Sequence, residues 1–451
     1  MNHPSSKQLK ISNLKIKFIS LTVLFFSMLL SSTNAQNKIT FTNVDDAISL
    51  AMKNNSDIVR SKIDQLKANE KVSEVYSENL FPTITLNSRY FRTFKKQVIN
   101  IFGQTFETGS DNNIINSLDI SEPIPVLGTP VFSGIRIAEH FENIQSENLI
   151  DVENNVRTNV RKSYYGVMLT KSIVEVNKLT LQNAESNFNT VNLKYKNGVA
   201  TEFDFLRAKV KVDNILPQLS KSERNYELSQ RALSNAIGLK DNEAVDVSGE
   251  LSYDSTEVLG STDELIQKIS ENNVAIRQLQ IGNMINKELV NIDKANYLPK
   301  LYIFGAYNLS ASSNDDRSLF NYPFFNSLNA GLGLSWNLNL FRNSFKVKQS
   351  ELEVKKTEEQ IRDVKQKLKL LSESTLIALD DAKQRLKSQK ETIELAKRGV
   401  ELANLSYASG VLNQIDVQDA ELTLYQSRLA YIQAIYDYQI AKAELERLLE
   451  K

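Results

Sequence analysis

The sequence predicts a mostly helical chain with a membrane β-barrel part, and with its whole series of elements present twice. The strongest sign of the β part is the segment 328–340, in which apolar residues alternate strictly with small or polar ones. A period of two is typical of a strand that has one apolar and one polar face. The segments 135–195 and 345–406 are instead rich in charge and contain no proline, which favours long solvated helices.

The N-terminus predicts export. A basic region that ends at Lys17 precedes an apolar core at 18–30, and small residues follow at 33–35. This is the order of a secretory signal peptide, and the core is shorter than the ~20 residues that cross a membrane as a helix. We therefore expect a signal peptide at 1–35 and a mature chain that begins at Gln36.

The first structural repeat is predicted at 36–240. It opens with two helices within 44–79 that are separated near 53–56, and Pro82 then stops the helix before a strand. The elements that follow are a strand at 83–94, a polar loop at 95–112, a strand at 113–121 and long helices at 135–195 and 201–237.

A second structural repeat is predicted at 263–451, after an acidic linker at 241–262 that is irregular or forms a small strand pair. Pro299 takes the place that Pro82 has in the first repeat. The predicted elements are a helix at 263–295, strands at 300–309 and 328–340 around a polar loop at 310–327, and long helices at 345–406 and 414–449.

Matches at constant offsets support the duplication. Pro82 and Tyr90 align with Pro299 and Tyr307 at one offset. A second offset aligns Tyr195, Gly198 and Asp204 with Tyr407, Gly410 and Asp416. Each of the two glycines is predicted to break a pair of long helices, because glycine readily adopts the left-handed backbone that ends a helix. Repetition at this period constrains the whole fold.

Four alternating strands per chain are too few to close a barrel, since the smallest barrels have about eight. An open sheet edge is too costly in hydrocarbon, so several chains must share one barrel. The alternative is a water-soluble sandwich, which would need apolar residues on the face that carries asparagine, serine and glycine. The alternation therefore favours a membrane sheet in contact with lipid.

Composition excludes several classes of function. Basic and acidic residues are equal in number, 54 of each, which gives no electrostatic reason for nucleic-acid binding. The chain has no cysteine, so disulfides and a lipoprotein anchor are excluded. His140 is the single histidine after residue 35 and cannot form a histidine cluster or a convincing triad. We therefore predict no enzyme activity, no cofactor and no metal site.

Three motifs then carry a resemblance to a known family. They are YKNG…FDFLRA at the first helix break, YASG…IDVQDAE at the second, and the strand-to-helix corner LSWNLNLFRNS. In this order the chain resembles the TolC-like outer-membrane efflux family over essentially its whole mature length. The resemblance implies a homotrimer with a shared twelve-stranded barrel in the outer membrane, continuous with an α-helical barrel across the periplasm. It also implies a passive exit duct for an inner-membrane efflux transporter and a periplasmic adaptor protein.

The resemblance further implies a gate at the periplasmic end, built by carboxylates of the last helix at Asp416 and Asp419. Their i, i+3 spacing puts both on one helix face, and like charges brought together at a symmetry axis would raise a pKa and attract cations. Tyr407 and Asp204 match positions that latch the gate. The family's best-known member has an arginine where this chain has Leu412, which argues against an ion-pair latch to Asp204 and favours hydrogen bonding by Tyr407. The alternative is that the two carboxylates lie on a solvated helix face.

The sequence thus predicts export of small toxic molecules through an outer-membrane channel. Within the same family, type I secretion of a polypeptide and metal efflux are alternatives. From a different class, the alternative is an exported coiled-coil protein with a structural or adhesive role and no pore. Because the resemblance puts substrate selection at the pump, the exported substrate cannot be inferred from this chain.

Overall fold

The computed structural model describes residues 39–125, 130–240, 243–249, 251–253, 261–314, 318 and 321–450. The predicted signal peptide and Gln36 lie outside the described residues. The helices are α1 (Val44–Asn54), α2 (Ser56–Leu80), α3 (Val131–Lys196), α4 (Glu202–Ile237), α5 (Thr262–Asn272), α6 (Val274–Ala295), α7 (Leu340–Ala408) and α8 (Gln414–Leu448). The strands are β1 (Ile39–Phe41), β2 (Thr83–Arg92), β3 (Gln97–Ile101), β4 (Gln104–Thr108), β5 (Asn112–Pro123), β6 (Val245–Val247), β7 (Lys300–Ser313) and β8 (Phe324–Ser335).

The four longest helices form two hairpins, α3–α4 and α7–α8. At about 1.5 Å of rise per residue, the 66 residues of α3 extend about 100 Å. The main hydrophobic core lies near the middle of α3, where Val160 and Val167 are fully buried against Leu233 and Ile237 at the end of α4. Away from this core the helices keep narrow apolar seams, so the hairpins are long, slender and largely solvated.

The large sheet is antiparallel, with the strand order β2-β5-β7-β8. Its register aligns the apolar positions of all four strands. Leu86 pairs with Leu118, Leu118 with Tyr307, and Tyr307 with Leu328. These four side chains are 75%, 39%, 40% and 76% exposed. One face of the sheet therefore presents a continuous apolar row to its surroundings.

The opposite face is polar in the same register. One residue further along β2, a row made of Asn87, Ser117, Asn308 and Ser327 crosses the four strands. The alternation that the sequence predicts for each strand is thus in phase across the sheet. In the part of the chain that the structure describes, β2 and β8 each pair on one side only, so the sheet is open at both edges.

The predicted loop at 95–112 contains a β-hairpin instead, formed by β3 and β4. Its two-residue turn is Phe102–Gly103, and both residues have positive φ, 51° and 80°. Such a turn twists in the sense that joins two strands tightly. The alternation of β3 and β4 is too irregular to predict them, because Val98 and Ile99 are both apolar neighbours.

The last sheet strand also differs from the predicted range 328–340. β8 spans Phe324–Ser335 and α7 already begins at Leu340, so the alternating residues after 335 form a corner. At this corner the indole nitrogen of Trp336 donates to the Tyr297 carbonyl at 3.1 Å. Asn343 holds the start of α7 to the end of α6 by donating to the Asn296 carbonyl at 3.0 Å.

The predicted helix at 263–295 is divided into α5 and α6 at Asn273, as the first repeat is divided at Asn55. Both asparagines have extended backbone, and the side chain of each accepts a hydrogen bond from the backbone N–H two residues later. The distance is 3.0 Å for Asn273 and 2.8 Å for Asn55. This is the geometry of a helix N-cap. In the predicted linker at 241–262, β6 pairs in parallel with β1, so a strand pair is present but its partner comes from the N-terminus.

Within the described residues, no helix is long and apolar enough to cross a membrane.

Candidate functional site: the two helical tips

Each helical hairpin ends in a tip with nearly the same backbone. Gly198 and Gly410 have φ of 71° and 76°, in the left-handed region that glycine tolerates best. Val199 donates to the carbonyl of Lys194 at 2.8 Å, and Val411 donates to that of Ser406 at 2.9 Å. These bonds close the ends of α3 and α7 in the same way, as a glycine C-cap does.

Reciprocal hydrogen bonds then start the second helix of each hairpin. In the first tip, the Thr201 hydroxyl accepts from the Asp204 backbone N–H at 3.1 Å, and the Asp204 carboxylate accepts from the Thr201 N–H at 3.2 Å. In the second tip, the Asp416 carboxylate accepts from the Asn413 backbone N–H at 3.0 Å, within the same kind of capping box. Two predicted gate residues, Asp204 and Asp416, therefore also stabilise the turns on which they lie.

Asp419 lies one turn further along α8 and is exposed. It shares a helix face with Asp416, as the i, i+3 spacing predicts. The residue at the equivalent position of the first tip is Arg207. The two tips thus present opposite charges at the same place, and the acidic face belongs to the second tip alone.

Tyr407 contacts the first repeat through Lys194. The ammonium of Lys194 lies 4.7 Å from the centre of the Tyr407 ring and 3.4 Å from its hydroxyl oxygen, a cation–π contact. Among the described residues, the hydrogen-bond partner of Tyr407 is Lys194 and that of the Asp204 side chain is Thr201. Within one chain, Tyr407 and Asp204, which match the two gate-latching positions, are therefore not hydrogen-bonded to each other.

Lys194 was not among the predicted site residues. Its equivalent in the second repeat is Ser406. Comparison of the two repeats therefore shows that this position differs, but it does not show which residue Lys194 contacts. Only the packing of the two hairpins brings it to Tyr407.

The first tip has an aromatic cluster of its own. Phe205 stacks on Tyr195 with 5.2 Å between ring centres and touches Phe188 at 5.6 Å. The positions equivalent to Phe205 and Phe188 in the second repeat are Val417 and Val400. The tyrosine that the two tips share therefore packs within its own hairpin in the first tip and against the other hairpin in the second.

Pro82 and Pro299 lie at the opposite end of the hairpins, directly before β2 and β7. Proline disfavours helical backbone at the residue before it, and Phe81 is accordingly extended, with φ −123° and ψ 145°. The two prolines thus occupy equivalent helix-to-strand turns.

A second contact joins the repeats near the start of α3. Arg136 donates two hydrogen bonds of 2.8 Å to the carboxylate of Glu288 on α6. This pairing, with help from Ser133 and Asn291, lowers the pKa of Glu288 to about 2. Histidine, cysteine, aspartate and glutamate do not gather into any group of three or more that could hold a metal ion in the described part of the chain.

These features define a class of protein: a membrane protein whose sheet has an apolar face for lipid and whose helical hairpins extend into water. The chain belongs to the outer membrane efflux protein family, whose model matches residues 47–239 and 265–450. The family places the protein in the outer membrane with a periplasmic part, and its members are channels rather than enzymes.

Individual relatives are distant in sequence. The outer membrane protein TolC of Vibrio cholerae is 20% identical over 193 residues, which make up 43% of this chain and 44% of that protein. Among solved structures, the outer-membrane channel CmeC of Campylobacter jejuni has a TM-score of 0.73 at 16% identity, over 90% of this chain and 85% of that one. CusC has a TM-score of 0.72 at 16% identity, over 90% of this chain and 91% of that one. The MtrE channel of Neisseria gonorrhoeae, solved in its open state, has a TM-score of 0.70 at 16% identity, over 90% of this chain and 88% of that one. At this identity the structural matches show a shared fold.

Proposed function

We propose that the protein is the outer-membrane exit duct of a tripartite efflux pump and works as a homotrimer. One observation carries the proposal: an apolar row crosses all four strands of a sheet that is open at both edges. Unpaired edges cannot remain in hydrocarbon, so copies of the chain join edge to edge. Three copies of four strands make a barrel of twelve strands, whereas two copies make eight, a barrel just wide enough for its own side chains.

The polar row that includes Asn87, Ser117, Asn308 and Ser327 then faces the lumen. Asparagine and serine side chains suit a water-filled interior, as in other membrane barrels with a channel. The helical hairpins continue the barrel as an α-helical tunnel into the periplasm. Similarity to CmeC, described as an outer membrane channel, and to CusC, described in terms of transmembrane channel formation, supports this arrangement.

In this proposal the duct conducts small toxic molecules passively, after an inner-membrane transporter and a periplasmic adaptor have delivered them. Family membership supports efflux as the general role. Secretion of a polypeptide or of metal ions would use the same architecture. An exported coiled coil without a pore would leave the exposed apolar row without a function.

The second tip supplies the proposed gate. Three copies of Asp416 and Asp419 around the axis would form an acidic ring that attracts cations and repels anions. The contact between Lys194 and Tyr407 ties the second tip to the first within each chain. In this proposal it takes the place of the ion-pair latch that Leu412 argues against.

Single-channel recordings in planar bilayers test both parts of the proposal. We would compare the wild type with the double variant Asp416→Asn/Asp419→Asn. Asparagine keeps an oxygen acceptor for the Asn413 N–H, so the variant removes charge without removing the cap. The matched control is Asp64→Asn, which also removes a carboxylate charge but lies on α2, the helix that precedes β2, and not at a tip. We expect stable openings in all three proteins and a severalfold loss of cation preference in the double variant alone.

Openings with unchanged selectivity in the double variant would keep the duct and reject the acidic gate. A protein that leaves the membrane fraction in high salt without detergent would reject the duct itself.

A further inference from the structure

A crevice lies between the two helical hairpins close to their tips. It is lined by residues of α3, α4, α7 and α8 and has a volume of about 700 Å³. This is within the range of about 300–1,000 Å³ that is typical of small-molecule sites. Because all four long helices contribute to its walls, anything bound there would contact both structural repeats.

Two residues of the crevice wall, Gln414 and Gln418, each have a side-chain amide without a hydrogen-bond acceptor. The Nε2 atoms of Gln418 and Gln414 are buried and have no partner among the described residues. Gln418 as a whole is only 8% exposed. A buried donor that has lost water and gained no acceptor is costly, so these two groups call for an acceptor that the protein itself does not supply.

The charges around the crevice point to the nature of that acceptor. Arg207 from α4 and Arg428 from α8 line it, both partly buried, and neither has an ion-pair or hydrogen-bond partner within the described ranges. The third cation, Lys211, is paired with Glu421 at 2.5 Å. Glu421 is the one acidic residue of the lining, so the crevice holds two uncompensated positive charges.

We propose that this crevice binds a small anion that carries carboxylate or phosphate groups and bridges the two hairpins. Arg207 holds it from the first repeat and Arg428 from the second, since guanidinium groups match the geometry of such anions. Gln418 and Gln414 donate to its oxygens, and Ile215 offers it an apolar wall. The crevice lies within one chain, so binding of the anion does not require that the protein conducts.

Isothermal titration calorimetry of the purified full-length protein in detergent tests the proposal, at constant ionic strength. The probes are citrate as a polycarboxylate and inorganic phosphate. We expect saturable binding of at least one of them, with one site per chain. Which probe binds more tightly distinguishes a carboxylate ligand from a phosphate ligand.

Variants place the binding in the crevice. Arg207→Gln and Arg428→Gln should each weaken it by about tenfold or more, as expected for the loss of a charge-assisted hydrogen bond. Arg231→Gln, an exposed arginine on the same helix as Arg207 but outside the crevice, should change nothing. Glu421→Gln should tighten binding, because it frees Lys211 for the anion.

Gln418→Leu separates a ligand site from a site filled by water alone. The leucine removes the unpaired amide, so the unliganded variant should unfold at a higher temperature than the wild type, yet bind the anion more weakly. Absence of saturable heat with both probes would overturn the proposal. Binding that all of these variants leave intact, or that Arg231→Gln weakens equally, would overturn it as well.

Discussion

The two helical tips have almost the same backbone and very different side chains. Gly198 and Gly410 turn the chain alike, and a capping box starts the next helix in each tip. The first tip then packs upon itself through the rings around Phe205, whereas Tyr407 of the second tip packs on Lys194 from the other hairpin. Turn geometry is thus a local property that both repeats retain, while the contacts that stabilise each tip have diverged.

The largest effect should come from making the first tip resemble the second, with Phe205→Val. This change removes two ring contacts, and we expect it to lower the free energy of unfolding by about 2 kcal/mol. The measurement is chemical denaturation in detergent followed by circular dichroism. The control is Phe203→Val on the same turn, whose side chain is 70% exposed and should cost little. Equal losses in the two variants would mean that the aromatic cluster adds no stability and that the tips do not differ in this way.

A smaller effect should show that the two backbones are equivalent. Gly198→Ala and Gly410→Ala should each cost about 1–2 kcal/mol, because alanine is strained in the left-handed region, and nothing lies within 4 Å of an added Cβ at either position. Gly166→Ala, inside α3 with equally open space, should instead stabilise the protein by about 0.5–1 kcal/mol. The same denaturation assay applies. A cost at one tip only would show that the turns are not equivalent in energy.

The smallest effect concerns the two contacts between the repeats, Lys194 with Tyr407 at the tips and Arg136 with Glu288 at the opposite end. The effect of pH on stability should distinguish them. Glu288 has its pKa lowered to about 2 by Arg136, so the stability from this pair is present above the ordinary value of 4.5 and is lost as the pH falls from 4.5 towards 2. Since the Arg136 side chain is 46% exposed, we expect Glu288→Gln to cost only about 1 kcal/mol at pH 7.

The measurement is denaturation of wild type and variants at pH 7, 5 and 3. The difference between Glu288→Gln and the wild type should shrink between pH 5 and pH 3. Lys194→Met, which removes a contact without a carboxylate, should cost the same at every pH. A Glu288→Gln difference that stays constant to pH 3 would contradict the role assigned to the ion pair.

Much of the fold could be predicted because its signals are local and repeated. The alternation around Leu86, Leu118, Tyr307 and Leu328 was visible in each strand, and the register then aligned these residues in one row. The hairpin at 97–108 could not be predicted from the sequence, because its turn, Phe102–Gly103, lacks the usual asparagine or aspartate and its strands alternate poorly. The alternating pattern predicts a strand that continues to residue 340, whereas β8 ends at Ser335 and Trp336 lies in a corner, where its indole donates to the Tyr297 carbonyl.

The candidate site divides in the same manner. The two glycine turns and the equivalence of the tips could be predicted from the sequence, because capping and left-handed turns depend on a few neighbouring residues. The gate role of the carboxylates at 204, 416 and 419 stays a prediction. The packing of the two hairpins brings Lys194 to Tyr407 and places Arg207, Arg428 and Gln418 around one crevice, and neither contact could be predicted from the sequence. These residues come from helices about two hundred positions apart in the chain, and such contacts depend on how solvated helices pack, for which a narrow apolar seam leaves little signal in any one segment.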